Sequence, residues 1–189
     1  VKGGGRVDST ELYARFLAGD EAALTELIGR YREGLTRFLN GYVHDWATAE
    51  ELMTETFVRL VVRRPHFTPR ASFKTWLYTV GRRLATDHLR RAARTTTLPP
   101  EEWALLDGGE QPEQRYLRTE RQRAVRRGLE QLCPDYRQAL YLAYFEGFDN
   151  RQIAAVTGWS RRQVENRLYR AKTALKTILI QEGMDDADL

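Results

Sequence analysis

The chain has 189 residues, 30 Lys and Arg against 26 Asp and Glu, and one cysteine, Cys133. That length accommodates one large core or two small ones, and a lone cysteine excludes an internal disulfide. No apolar run approaches a membrane span or the core of a signal peptide, so the expectation is a soluble, cytoplasmic protein without membrane insertion. The charge lies in blocks: residues 1–94 hold 16 basic against 11 acidic side chains, 95–117 hold 1 against 5, and 118–180 hold 13 against 6. Two basic stretches around an acidic one suit a long polyanion touched at two places.

A first helix is expected from Asp8 to Leu17, stopped by Gly19. From Asp20 onward, Leu24, Leu27, Ile28, Tyr31, Leu35, Phe38, Leu39 and Tyr42 recur at helical spacing and predict one long helix ending near His44. Thr48 and Glu51 read as a capping box that opens a third helix through Leu52, Thr56, Phe57 and Leu60, ending before Pro65. A fourth begins near Ser72, with Phe73, Trp76, Leu77, Val80, Leu84, His88 and Leu89 on one face. Residues 95–117 carry half of the chain's six prolines together with acid and glycine, and read as a flexible linker. Beyond it a helix is expected from Arg118 to Leu132; Pro134 suits the first turn of the next, and Gly147 ends that one. No stretch alternates with period two for long enough to argue a strand. The fold class is therefore all-α: two small helical domains over residues 8–94 and 118–180, joined by the 95–117 linker, with 181–189 as an acidic tail.

The most informative stretch is 149–172. Asp149 with Gln152, and Ser160 with Gln163, form two capping boxes, so two helix starts are fixed within a dozen residues. Gly158 can take the left-handed conformation that closes the first helix, while Ile153, Ala154, Val156, Val164 and Leu168 supply a small shared core. Val164, Leu168, Ala171, Leu175 and Ile178 make an inward stripe along the second helix. This is a helix-turn-helix, and its outer face presents Arg161, Arg162, Glu165, Asn166 and Arg170 as a recognition helix presents side chains to the major groove. Glu165 cannot favour phosphate, so it is expected either to accept from a cytosine amino group or to orient a neighbouring arginine.

An enzyme is not expected. His44, His66 and His88 have no metal-ligand spacing with one another or with Cys133, and no nucleophile has a base placed by motif, so neither metal nor cofactor is called for. One binding reading of these residues is a dimeric helix-turn-helix regulator that binds DNA on its own.

The two helical blocks together resemble an extracytoplasmic-function sigma factor of the sigma-70 family. Asp20-Glu-Ala-Ala-Leu with Tyr31-Arg, Ala49-Glu-Glu-Leu-Met-Thr-Glu-Thr-Phe-Val-Arg-Leu, and Phe73-Lys-Thr-Trp-Leu-Tyr followed by Asp87-His-Leu-Arg-Arg resemble that family's second region in order and spacing. Leu132-Cys-Pro-Asp-Tyr-Arg-Gln-Ala-Leu, Glu146-Gly-Phe, Ile153-Ala and Val164-Glu-Asn-Arg-Leu-Tyr-Arg-Ala resemble its fourth. The resemblance implies a promoter-specificity subunit whose partners are bacterial core RNA polymerase, promoter DNA and an anti-sigma factor. It assigns polymerase contact to Glu51, Leu52, Thr54, Glu55 and Val58, with Thr54 standing where the family usually has Gln. It assigns the proximal, minus-10 element to Trp76, Arg82, Arg83, Arg90 and Arg91, with Arg83 where Asn is frequent; Phe73 and Tyr78 add rings. Phe73 and Trp76 also lie on the apolar stripe, whose ordinary use is core. The distal, minus-35 element falls to Ser160, Arg161, Arg162, Gln163, Glu165, Asn166, Arg167 and Arg170, where Glu165-Asn166 replaces a common Lys-Ser pair.

Overall fold

The computed structural model describes residues 8–65, 72–95 and 120–184, all of them in helices or the turns between. Residues 96–117 of the expected linker, 185–189 of the expected tail, the first seven residues and the expected helix start at Arg118 lie outside the described residues. The described chain falls into two compact units, α1–α4 and α5–α8.

In the first unit α1 (Ser9–Leu17) starts on Asp8, whose side chain accepts from the Thr10 amide, and α2 (Glu21–Val43) starts on Asp20, which accepts from Ala23. The Arg15 guanidinium bonds the Asp20 carboxylate at 2.7 Å, and this hydrogen bond, reinforced by the Ala23 amide, holds that carboxyl below the usual range. His44 closes α2 in the left-handed region at φ 53°, and Asp45 immediately caps α3 (Trp46–Arg63) by accepting from Thr48 at 2.7 Å. The expected Thr48–Glu51 box is thereby corrected: Thr48 lies inside the helix. With only His44 and Asp45 between α2 and α3, the nearest side chain able to take the orphan amides wins. The Thr48 side chain and amide together lower the Asp45 pKa. The last helix of the unit is α4 (Phe73–Thr95), with Ser72 accepting from the Thr75 amide at 3.2 Å.

The long α2 packs on all three of its neighbours, and the core lies where the four helices meet. Leu27, Leu35 and Leu39 of α2, Leu60 of α3 and Leu77 of α4 are fully inaccessible. Phe73 packs at a tilt between Tyr13 and Tyr31 at centroid distances of 5.6 and 5.5 Å, and Tyr78 lies 5.1 Å from Phe38. Each such ring or aliphatic side chain contributes about 1.5–3 kcal/mol by leaving water. The Tyr13 hydroxyl donates to the Pro65 carbonyl at 2.9 Å, tying the end of α3 to α1; burial raises the pKa of that phenol. Close approach of α4 to α2 depends on Gly81, where an added Cβ would sit 3.1 Å from Leu35 Cδ1 and 3.3 Å from Leu39 Cδ2. A branched side chain cannot be absorbed there, so Gly81→Val is expected to destabilise this unit by about 2 kcal/mol, measured as a lower urea midpoint.

In the second unit α5 (Glu120–Gln131), α6 (Pro134–Leu140) and α7 (Asn150–Thr157) all pack on α8 (Arg161–Gln181). Pro134 occupies the first turn of α6, and α6 runs on into one wide π-helical turn, Tyr141–Phe145, that stacks Tyr141 on Phe145 at 5.4 Å. Gly147, at φ 66°, follows that turn. The α5–α6 corner is clamped by Arg137, whose guanidinium donates to the carbonyls of Leu129, Glu130 and Leu132 at 3.1, 2.8 and 3.1 Å. Burial lowers the pKa of this arginine, the opposite of what an exposed ion pair would do. Leu132, Leu140 and Ala171 form the small core that seats α8, with Leu168, Leu175 and Ile178 packed against it.

Candidate nucleic-acid and partner interfaces

Both expected capping boxes are formed. The Gln152 amide donates to Asp149 Oδ1 at 2.7 Å and the Asp149 amide to Gln152 Oε1 at 2.9 Å; the Ser160–Gln163 pair closes in the same way at 3.2 and 2.8 Å. Gly158 at φ 76° closes α7, so α8 leaves the turn at an angle set by the backbone. Val164 and Ala171 are fully buried, which turns Arg161, Arg162, Glu165, Asn166 and Arg170 outward, all of them exposed. None of the three arginines nor Glu165 makes an ion pair among the described residues, so a ligand meets three guanidinium groups and a carboxylate with no internal partner. Tyr169, 72% exposed, completes this face and was missed from the sequence, because a tyrosine next to the apolar stripe reads as core.

Three residues assigned to the distal element also have partners within the chain. Ser160 and Gln163 are engaged with each other in the cap. Arg167 is held between the Trp159 ring, 4.4 Å from its guanidinium carbon, and Asp135, 3.0 Å from its Nε, and thereby links the start of α6 and the interhelical turn to α8.

On α4 the buried positions Phe73, Leu77, Tyr78, Gly81, Leu84 and Ala85 define the inner face. Tyr78 is fully buried, so the expected role of its ring at DNA is corrected: it belongs to the core. Trp76 is half-buried and shares helical spacing with Arg83, Asp87, Arg90 and Arg94, so these lie on one outward stripe. Arg82 and Arg91 flank it, Arg82 half-buried and Arg91 exposed with its Nε donating to the Asp87 carbonyl at 3.3 Å. The net charge of the stripe is positive even with Arg90 lying 3.7 Å from Asp87.

On α3 the five residues assigned to a partner separate. Glu51, Thr54 and Val58 are exposed and Glu55 is half-exposed, but Leu52, only 7% exposed, points into the core with Met53, Phe57 and Leu60. Its place on the docking face is therefore corrected. Beside the exposed residues runs an apolar groove between α2 and α3, lined by Ile28, Met53, Phe57, Val58, Val61 and Val62. Glu50 and Arg32 stand at its edge, and Glu51 and Glu55 line a second depression beside it that shares Glu50, Thr54 and Val58. Arg59 bonds Glu55 at 2.8 Å and Arg32 reaches Glu50 at 3.5 Å, whereas Glu51 has no cation partner among the described residues. An apolar channel with an acidic edge fits a helix carrying aliphatic and basic side chains.

Among the described residues no group of three His, Cys, Asp or Glu is placed to hold a metal ion, and no helix is long and apolar enough to cross a membrane.

Comparison with known proteins places these surfaces in a family. The family model for sigma-70 region 2 matches residues 27–95, and that for sigma-70 region 4 matches residues 122–175. The chain is 32% identical over 160 residues to the ECF RNA polymerase sigma factor SigC of Mycobacterium tuberculosis, covering 83% of this chain and 83% of that one. The chain belongs to the ECF sigma factors of the sigma-70 family. A second relative, the RNA polymerase sigma-H factor of Pseudomonas aeruginosa, is 29% identical over 178 residues, 89% of this sigma factor and 92% of its own length. In fold, the sigma factor RpoE of Bartonella quintana, solved in complex with the anti-sigma factor NepR, is similar with a TM-score of 0.64 at 21% identity, over 82% of this chain and 95% of that one. The matched regions coincide with α2–α4 and with α5–α8, so the α3 groove and the α4 stripe belong to region 2 and the α8 face to region 4. The reading as a free-standing dimeric regulator falls away with this membership.

Proposed function

We propose that this sigma factor binds bacterial core RNA polymerase through the α3 face and directs initiation by contacting promoter DNA at two separate elements, acting by binding rather than catalysis in the cytoplasm. The region 2 unit, residues 8–94, would supply Glu51, Thr54, Glu55 and Val58 to the polymerase, and Trp76, Arg82, Arg83, Arg90 and Arg91 to the minus-10 element. The region 4 unit, residues 118–180, would read the minus-35 element with Arg161, Arg162, Glu165, Asn166, Tyr169 and Arg170. Two modules on one chain, tethered by residues 95–117 and each holding few base contacts, would bind free DNA weakly and gain affinity only when polymerase carries both. An anti-sigma factor, the kind of partner with which the Bartonella RpoE was solved, is a fitting competitor for the exposed apolar groove.

The observation that carries this reading is the α8 face, where Arg161, Arg162 and Arg170 are exposed, without ion-pair partners among the described residues, on a helix that starts at a capped turn. Transcription by core polymerase, with start sites mapped by sequencing, tests it. Adding the protein should create new start sites that share two upstream elements. Arg162→Ala should reduce use of the distal element by roughly 5- to 150-fold, the worth of one bidentate base contact, with core binding unchanged. Start sites that do not change on adding the protein would reject the function.

A further inference from the structure

Glu165 is the one acid on the outward face of α8, and its surroundings decide what it can do. Arg161 and Arg162 stand four and three residues before it, at spacings where helical neighbours often pair, whereas Arg170, five residues on, is turned away from it. Yet among the described residues no guanidinium lies within ion-pair distance of its carboxylate, and Glu165 is exposed beside Asn166. Of the two roles open to it in sequence, orienting an arginine therefore has no contact behind it. What is left is the ligand. Against a phosphate a carboxylate is repelled, and a purely electrostatic binding face is weakened by carrying one. In the major groove the edge of guanine offers only acceptors, as do thymine O4 and adenine N7, and an ionised carboxylate has no proton to give them. Cytosine N4 is a donor with no acceptor beside it on that base, whereas the adenine amino group stands next to N7.

Resting on the reading of α8 as the recognition helix, we propose that Glu165 sets a cytosine at one position of the distal element by accepting a hydrogen bond from its exocyclic amino group, and rejects guanine there by repulsion. The residue lowers affinity for DNA at large and returns it only where that amino group is present. It acts as a filter on sequence.

The test is a selection with the full chain bound to core polymerase, on a promoter library randomised across the distal element. Wild type, Glu165→Lys, Glu165→Ala and Arg162→Ala are run side by side. Wild type should enrich cytosine at one position by roughly 5- to 150-fold over guanine, the range of a single direct base contact. Glu165→Lys, which replaces an acceptor by a donor, should turn that position toward guanine, and Glu165→Ala should leave it unselected while other positions keep their preferences. The same base at every position in all three Glu165 forms would overturn the assignment, as would a uniform gain in affinity for Glu165→Ala with no change in preference. In both cases loss of selection elsewhere in Arg162→Ala would show that the recognition helix itself stands. A wild-type library with no enriched distal position would overturn the proposed function together with this assignment.

Discussion

Val58→Asp is expected to weaken association with core polymerase by roughly 30- to 1,000-fold while leaving the first unit folded, and Leu52→Asp to lose both; this pair is the largest expected effect on function. The two residues are six apart on α3 and both aliphatic, but Val58 is 47% exposed at the apolar groove and Leu52 is 7% exposed in the core. A carboxylate at Val58 is hydrated in the free protein and costs only about 0.5 kcal/mol, from repulsion by Glu55 one turn away, until a partner covers it. It then stands desolvated in a depression that already carries Glu50, Glu51 and Glu55, for a loss of about 2–4 kcal/mol in binding. A carboxylate at Leu52 is instead buried in the folded chain with no partner, in place of a core side chain, and is expected to destabilise by about 4 kcal/mol or more. Binding to immobilised core polymerase, read beside the thermal transition of each variant, separates them. Retention of polymerase by a folded Val58→Asp would remove the groove from the docking face.

Arg137→Met is expected to be the costliest change in the second unit, although it touches no ligand-facing residue. Methionine keeps most of the buried stem and removes the charged fork, so the carbonyls of Glu130 and Leu132 lose a donor to which the rest of the corner gives no substitute. With the hydrogen bond to Leu129 included, a loss of about 2–3 kcal/mol follows, or roughly 10 °C or more in the melting of a unit this size. Because that corner closes the core under Leu132, Leu140 and Ala171, the seat of α8 loosens with it. Hydrogen exchange should show lost protection in α5 and α8 with α2 and α3 unaffected, and distal-element use should fall in parallel. Unchanged protection across α5 would show that the guanidinium is replaceable by water.

Much of this was legible because it is local. A capping box needs side chains three residues apart and a left-handed turn needs glycine, so the starts of α7 and α8 and the stop at Gly158 follow from the chain itself. The inward stripe of α8 follows from the same short-range geometry, and with it the outward direction of Arg162 and Glu165. On α3, apolar spacing already put Leu52 on a stripe with Thr56, Phe57 and Leu60; family likeness moved it to the surface, and the packing returned it to the core.

What the sequence by itself determined is the identity and order of the helices, most of their ends, and the faces that repeat at 3.6 residues, since each is decided by atoms within about two turns. Only the tertiary structure decided which of several eligible side chains met another helix. Tyr78 lies against Phe38 while Trp76 stays half-open, and Arg167 is taken by Trp159 and Asp135, up to 32 residues away. Burial and ion pairing are properties of two surfaces meeting, and one strand of residues read alone carries only half of each pair.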